Sequence, residues 1–495
     1  MEKLVNTRLI WILEKKGKLS ATQCGFRKGR STEDLLVRLE HQVRSSLINR
    51  QITFTVFFDL KQAFDSVSHK HLLYKLANAG IDGNMLSWIE EYLHGREFQY
   101  LIGNSRSDSA PMERGLPQGS ILSPTLFNMM IADIPHPGRI TVYEYADDIA
   151  ISVTSPDLQE ATNLIQDAIA QIVDWATKWN LLINPEKTKA MCFTKKKVLE
   201  HLPTLKLQDA DIEWVRTFKY LGLTFDAPTL TWKAHIEGVC RQGYQRVNIL
   251  KALAGTWGAD REMLLNIYKA YVRPKLLYGI TAVASAAESR LEGLNRIQNA
   301  ALRVALGARR TSPITALQVE ADVPPIILHI KEICCTYMYK IRAQKEKHPM
   351  MNFMLHDPTV EGKYWTPGCF KMPLVIRTRG IMRWWNLPPE VDFENERFPT
   401  DPPWMNPTLA IRQDLSEEVS KDLCTERIRA ITQLTIEERY KEHLHIYSDG
   451  SKMDSSTSAA IWIPEVGHQN NWKLENGAII PIMTAEMFAI WKALE

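Results

Sequence analysis

The stretch ITVYEYADDIAISVT, residues 140–154, constrains this chain more than any other. Apolar and β-branched residues alternate up to Tyr145 and again from Ile149 through Ile151 to Val153, the period of strands. Ala146-Asp147-Asp148 between them leaves room only for a tight turn, so the spacing predicts a hairpin whose tip carries adjacent carboxylates. Two such groups repel each other, and the repulsion falls when a divalent cation sits between them. Mg²⁺ favours a few carboxylates plus phosphate oxygens, which suits phosphoryl transfer. A solvated polar turn accounts for the same two residues, so other segments have to decide between the readings.

QITFTVFFDLKQAFDSV, residues 51–67, supplies the deciding acid. It starts in alternation, becomes the apolar run Val56-Phe57-Phe58 of a strand buried on both faces, and ends in Asp59. A carboxylate at the end of a buried strand is costly unless paired or metal-bound. The other reading makes it the N-cap of a helix beginning near Ser68. Asp65 or Ser66 is better spaced for that, which leaves Asp59 for chemistry. Three acids thus end or join strands of an apolar sheet, and a βαβ-like layer with the hairpin alongside can bring them to one edge. Two Mg²⁺ ions held there, about 3.5–4 Å apart, would clamp an in-line attack on phosphorus.

Two glycine-broken loops accompany these strands. In GLPQGSILSPTLFNMMIADI, residues 115–134, Gly115, Pro117 and Gly119 predict an irregular turn before an apolar helix from Pro124 to about Ile131. Gln118 in that turn can bond a ligand lying over it or brace the turn itself. In QCGFRKGRSTEDLL, residues 23–36, Arg27, Lys28 and Arg30 crowd before a helix predicted from Ser31 to about Leu47. Free N–H groups there favour anions, so a phosphate-contacting loop and a solubilising turn both fit.

Elsewhere the pattern is mostly helical. Helices are expected over 1–16, as a pair over 70–94 and over 158–179, with a hairpin over 96–110, a strand in LLINPEKTKAMCF and a strand pair over 217–226. Residues 233–306 and 320–346 read as helices, and 349–410 as a Pro- and Trp-rich connector. Near the end, a strand closing in Asp449, a Gly/Ser loop and a strand over 459–463 precede a helix with Glu486 in its first turn. Charge is uneven: residues 1–50 hold 11 Lys/Arg against 5 acids and residues 231–310 hold 13 against 5, whereas 386–440 hold 6 against 12. Two basic segments around an acidic connector fit a nucleic-acid partner. The seven cysteines lack the spacing of a zinc site, which points to a reducing intracellular compartment, and no apolar run is long enough to span a membrane.

FDLKQAFD, GLPQGSILSP, YADD, LINPEKTK and FKYLGLTF, with QCGFRKGRST upstream, resemble in order and spacing the motifs of reverse transcriptases. The set resembles the polymerase of non-LTR retrotransposons of the insect Jockey type (LINE-like) over roughly residues 1–330. YSDGS and TAEMFAI resemble the first two carboxylate motifs of a ribonuclease H domain. The resemblance implies an α+β chain with a reverse-transcriptase right-hand fold, its partial fingers and palm over 1–228 and its helical thumb with following helices over 229–345. An irregular connector over 346–441 and the N-terminal part of a truncated ribonuclease H-like α/β domain over 442–495 would follow.

The implied activity is that of an RNA-directed DNA polymerase, a nucleotidyltransferase adding dNTPs to a primer 3′-hydroxyl. Asp59, Asp147 and Asp148 match the catalytic carboxylates, which would bind two Mg²⁺ ions or Mn²⁺ in their place. Leu60 would offer a backbone carbonyl to the metal, Phe64 falls at the steric-gate position, Gln118 would lie against the incoming nucleotide, and Lys187 would be the acid for pyrophosphate. Arg27 and Arg30 match the loop near template and triphosphate. Implied partners are an RNA template, a DNA primer, an RNA–DNA hybrid and dNTPs, without a membrane, in a ribonucleoprotein of the nucleus or cytoplasm. Asp449 and Glu486 match part of a ribonuclease H site. Against the family's pattern, the first strands of the fingers, the preceding endonuclease domain and the later ribonuclease H acids are missing. The chain therefore reads as truncated at both ends, with no ribonuclease H activity expected. A catalytically inactive, nucleic-acid-binding remnant is the reading from a different class.

Overall fold

The computed structural model describes residues 1–196, 202–255, 259–344, 348, 372–388, 425–441, 445–453 and 456–474, with 485, 488 and 489. The chain divides into two compact units, Met1–Pro402 and Pro403–Glu495.

The first unit opens with α1 (Glu2–Lys15), α2 (Thr32–Ile48), β1 (Ile52–Phe58), α3 (His69–Asn78) and α4 (Gly83–Leu93). Four two-residue strands follow: β2 (Glu97–Phe98), β3 (Leu101–Ile102), β4 (Ser105–Arg106) and β5 (Ala110–Pro111). Next come α5 (Ser123–Met130), β6 (Thr141–Tyr145), β7 (Asp148–Ser155), α6 (Leu158–Lys178) and β8 (Lys189–Phe193). The segment closes with β9 (Leu205–Leu207), β10 (Ala210–Trp214), β11 (Thr217–Tyr220) and β12 (Leu223–Asp226). Six of these strands form one sheet in the order β6-β7-β1-β8-β10-β9, and β11 with β12 forms a separate hairpin.

All seven residues of β1 are buried because the strand runs between β7 and β8, both antiparallel to it. The period of two splits them between two cores. Ile52, Phe54, Val56 and Phe58 join α3, α5 and α6 on one face, each apolar side chain contributing about 1.5–3 kcal/mol. On the other face, Thr53 donates to Ser46 Oγ at 2.7 Å and Thr55 lies 3.1 Å from Ser152 Oγ. Phe57 then stacks on Phe218 at 4.5 Å and meets the tilted ring of Tyr220 at 5.0 Å. Hydroxyls thus give way to rings, and the rings to Asp59, as the strand reaches its end.

The helical part that follows comprises α7 (Lys233–Ala254), α8 (Arg261–Ile267), a π-helical turn over Tyr268–Val272, α9 (Arg273–Leu277) and α10 (Ile280–Val283). It continues with α11 (Glu288–Ala305), α12 (Ile314–Glu320) and α13 (Ile326–Ala343), and a helix over Leu374–Trp384 packs against α13. Its core is continuous with α2 and the Phe57 face of the sheet. Buried charge crosses that junction: Arg44, 2% exposed, lies 3.5 Å from the fully buried Glu40. Arg44 also donates to Leu230 O at 2.7 Å and Ser285 Oγ at 3.1 Å. Trp232 Nε1 donates to the same Ser285 hydroxyl at 2.9 Å, and Arg377 to Thr281 O at 2.8 Å.

Most expected elements fall where the pattern puts them, with local differences. The helix after Asp59 is capped by Ser68 itself, whose side chain accepts from His71 N–H, while Ser66 bonds Ala63 O and Asp65 accepts from Gln118. β9 and β10 extend the main sheet through short runs broken by Gln208-Asp209, too short for a period to mark. In the second unit, a helix spans Thr425–Arg439 and three strands form an antiparallel meander, Tyr447–Met453 with Ser456–Ile463 with His468–Leu474. The expected Gly/Ser loop after Asp449 is strand instead, because Gly450 and Ser451 pair with Ala459 and Ser458 and the ladder satisfies their backbone groups. No helix among the described residues is long and apolar enough to cross a membrane.

Candidate active site

The three acids of the hairpin and β1 come to one sheet end. The β1–β7 register pairs Phe58 with Ile149, so one residue further Asp59 lies across from Asp148. Neighbouring strands run about 4.7–4.9 Å apart, and both positions alternate with Phe58 and Ile149, which places them on the face covered by β11 and β12. Tyr145 pairs with Asp148, leaving Ala146 and Asp147 as a two-residue turn.

The electrostatics follow from that placement. Partial burial, then the charges of Asp147 and Asp59, push the Asp148 carboxyl up to about 6. Asp59 meets the Lys187 ammonium at 3.7 Å, with the two side chains 40% and 69% exposed, a loose contact weakened by water. Among the described residues no three carboxylate, imidazole or thiol groups form a ready metal cage. The donor set is nonetheless oxygen-only and carries excess negative charge that draws in an ammonium. That suits a hard divalent cation such as Mg²⁺, which completes its shell with water and phosphate oxygens.

The segment after Asp59 is stapled to the turn that carries Lys187. Asn184 N–H donates to Asp59 O and Lys61 N–H to Leu182 O, both at 2.7 Å, with the buried Leu60 bridged to Ile183. Phe64 stacks on Phe127 at 4.4 Å and 18° and meets Phe26 edge-on at 6.5 Å. Leu116 N–H donates to Phe64 O at 2.9 Å and Gly115 N–H to Val67 O at 2.8 Å. Gly115 has φ +93°, and a Cβ there would stand 2.9 Å from Asp65 O, so only glycine fits. Gln118, in the same turn, donates to Asp65 Oδ1 at 3.1 Å and is exposed. In this conformation its amide braces the turn at the edge of the site.

The two arginines of the upstream loop are turned inward. Arg27, its side chain 8% exposed, forms a two-pronged pair with Glu14 at 2.8 and 2.6 Å and donates to Ser20 O at 2.5 Å. Arg30 donates to Ala21 O at 2.5 Å and Gln23 O at 2.8 Å. Burial, then the nearby Arg27, lowers its pKa. Both guanidiniums here hold the loop's own carbonyls, and the exposed residues beside Arg27 are Phe26 before it and Lys28 after it.

What sequence reasoning missed is the contact between this loop and the acidic turn. Gln23 Oε1 accepts from Ala146 N–H at 3.0 Å and Gly25 N–H at 2.6 Å, and Cys24 N–H donates to Glu144 O at 2.9 Å. Ser20 Oγ donates at 2.6 Å to the buried Glu144 carboxylate, which Thr22 also reaches. Ala146 has φ +53°, a conformation costing a non-glycine residue about 1–2 kcal/mol. A signal was present: a two-residue hairpin turn usually contains Gly or Asn, and Ala146-Asp147 has neither, so something outside must prop it.

In the second unit Asp449 is exposed in mid-strand opposite Ala460, and Glu486 lies outside the described residues.

Residues 1–225 match the family model described as reverse transcriptase (RNA-dependent DNA polymerase). The chain is 29% identical over 360 residues to the RNA-directed DNA polymerase from mobile element jockey of Drosophila funebris, covering 70% of this chain and 38% of that protein. It is 31% identical over 316 residues to the probable RNA-directed DNA polymerase from transposon BS of Drosophila melanogaster, covering 61% and 34%. Over 354 residues it is 28% identical to the probable RNA-directed DNA polymerase from transposon X-element of the same species, covering 70% and 38%. The chain thus spans under two fifths of the length of these relatives. Apo telomerase from Candida tropicalis aligns over 71% of this chain and 61% of that chain at 11% identity and a TM-score of 0.39, too loose a likeness to argue from.

Proposed function

Since residues 1–225 are a reverse transcriptase domain of the non-LTR retrotransposon kind, we propose that this chain copies RNA into DNA, adding dNTPs to a primer 3′-hydroxyl. The observation that carries the reading is the meeting of Asp59, Asp147 and Asp148 at one sheet end, where partial burial and then their mutual repulsion raise Asp148. Structural carboxylates are neutralised from within; these three call for a cation from outside. Asp59, Asp147 and Asp148 would hold divalent ions, Mg²⁺ by their hard oxygen donors, with the Leu60 carbonyl as a further ligand. When bound, two such ions activate the attacking hydroxyl and neutralise charge on the departing pyrophosphate.

The chain's own groups do the rest. The Phe64 ring, fixed by Phe127, bounds the sugar and excludes a 2′-hydroxyl. Gln118 releases Asp65 to lie along the nucleotide, and Lys187 leaves Asp59 to deliver a proton to pyrophosphate. The basic helices α7 to α11 track template and primer phosphates without regard to sequence. Arg27 and Arg30 reach nucleic acid only by letting go of the loop carbonyls they now hold. The second unit we read as the start of a ribonuclease H-like domain, on its three-stranded meander with Asp449 on the first strand.

Primer extension on an RNA template with Mg²⁺ tests the polymerase reading, with Asp147→Ala as the control. We expect incorporation by the unaltered chain and none above background by the variant. Equal incorporation by both would replace the reading with that of an inactive nucleic-acid-binding remnant.

A further inference from the structure

We propose that Gln23 is a positioning residue for the acidic turn, acting through its side-chain oxygen on the backbone of Ala146. The inference rests on the polymerase reading for its kinetic consequences and on geometry alone for the contact.

Two backbone N–H groups converge on one oxygen. Gln23 Oε1 takes Ala146 N–H at 3.0 Å and Gly25 N–H at 2.6 Å, and Gln23 is 1% exposed, so water does not compete. The other end of the amide is idle: Nε2 is buried and finds no hydrogen-bond partner among the described residues. The oxygen alone is therefore in use. An amide supplies it without charge, where a carboxylate would set a fourth negative group beside Asp147 and Asp148.

The loop around Gln23 is built to bring that oxygen close. Gly25 touches the turn directly, since a Cβ on it would lie 2.6 Å from Ala146 N. Asn128, from α5, donates to Gly25 O at 2.8 Å and fixes the glycine from behind. Arg27 reaches Gln23 O at 3.4 Å and Arg30 the same oxygen at 2.8 Å. Gln23 further pairs with Glu144 as a short parallel bridge, two residues ahead of Ala146. The inward-turned arginines thereby hold the residue that holds the turn.

Ala146 sits at φ +53°. A left-handed alanine relaxes when its contacts are removed, and any relaxation swings Asp147, the next residue, away from Asp59. Displacing a reacting group by about 1 Å costs on the order of 100-fold in rate. Loss of the prop therefore acts most strongly on the chemical step, where Asp147 has to stand against Asp59.

The experiment compares Gln23→Met, which keeps the volume and removes the acceptor, with Gln23→Glu, which keeps the acceptor and adds charge. Hydrogen exchange by mass spectrometry over residues 143–148 reads the contact, and single-nucleotide primer extension reads its effect. Gln23→Met should speed exchange in that peptide about tenfold or more. It should lower kcat about 10- to 100-fold with the dNTP KM within about twofold. Gln23→Glu, which keeps the acceptor oxygen, should keep exchange in that peptide slow. Gly25→Ala, whose Cβ would press on Ala146 N at 2.6 Å and on Gln23 Oε1 at 3.0 Å, should lower kcat in the same way. Unchanged exchange and unchanged kcat in Gln23→Met would overturn the proposal. Were the unaltered chain to give no extension above Asp147→Ala, the polymerase reading would fall while the exchange result still decided the contact.

Discussion

The acidic sheet end and the α2–α10 junction both gather charge, one at an exposed edge and the other in the core, and they handle it in opposite ways. At the junction, Glu40 faces Arg44, and Arg44 closes on Leu230 O and Ser285 Oγ. Burial raises the Glu40 carboxyl, and the guanidiniums of Arg377 and then Arg44 oppose that rise. At the sheet end, three carboxylates share a corner with one exposed lysine, and the charges on Asp147 and Asp59 add to the rise of Asp148 instead of opposing it. A charge neutralised from within holds a fold together; a charge left in excess recruits a ligand.

Substitutions at the two places should therefore separate activity from stability. Asp59→Asn should lower primer extension by about 10³-fold or more and leave the melting temperature near that of the unaltered chain. A large loss of stability instead would mean that the acid end is structural. Arg44→Met reverses the pattern: it leaves Glu40 buried without its cation, at a cost of about 3–5 kcal/mol. A denaturant titration reads that loss, and extension per folded molecule should persist.

The smallest effect has the opposite sign. Because the folded pKa of Asp148 is raised to about 6, folding favours its protonated form, and ionisation above the ordinary carboxylate range works against folding. Asp148→Asn should thus raise the melting temperature by a few degrees at pH 7.5 in metal-free buffer. The difference should fade as pH falls through 6 and vanish below about 4, where both chains are neutral at this position. A variant that is less stable at pH 7.5 would show that the carboxylate is paired after all.

The strands, the acid positions and most helices were legible because period and apolar run length report burial directly. Asp59 and the YADD tip stood out by local chemistry, with Phe57 and Phe58 before one and alternating strands around the other. The caps were less legible: Ser68, Ser66 and Asp65 are all able to cap, and the choice depended on Gln118 arriving from a turn 53 residues beyond Asp65. The inward turn of Arg27 depended on Glu14, and the prop on Ala146 on Gln23, pairs that only the folded chain brings together. Long-range partners of polar side chains leave no period. What they leave is a local deficiency, as in a hairpin turn lacking glycine.

Cation binding at the acidic corner distinguishes a charge left in excess for a ligand from one neutralised within the fold. Electron paramagnetic resonance of Mn²⁺, with primer, RNA template and a non-hydrolysable dNTP present, can count the bound ions. The unaltered chain and Arg44→Met should both bind Mn²⁺ in this complex, and the Asp59→Asn/Asp148→Asn double variant should lose that binding. Equal Mn²⁺ binding by the double variant would contradict the assignment of these acids as the cation's ligands.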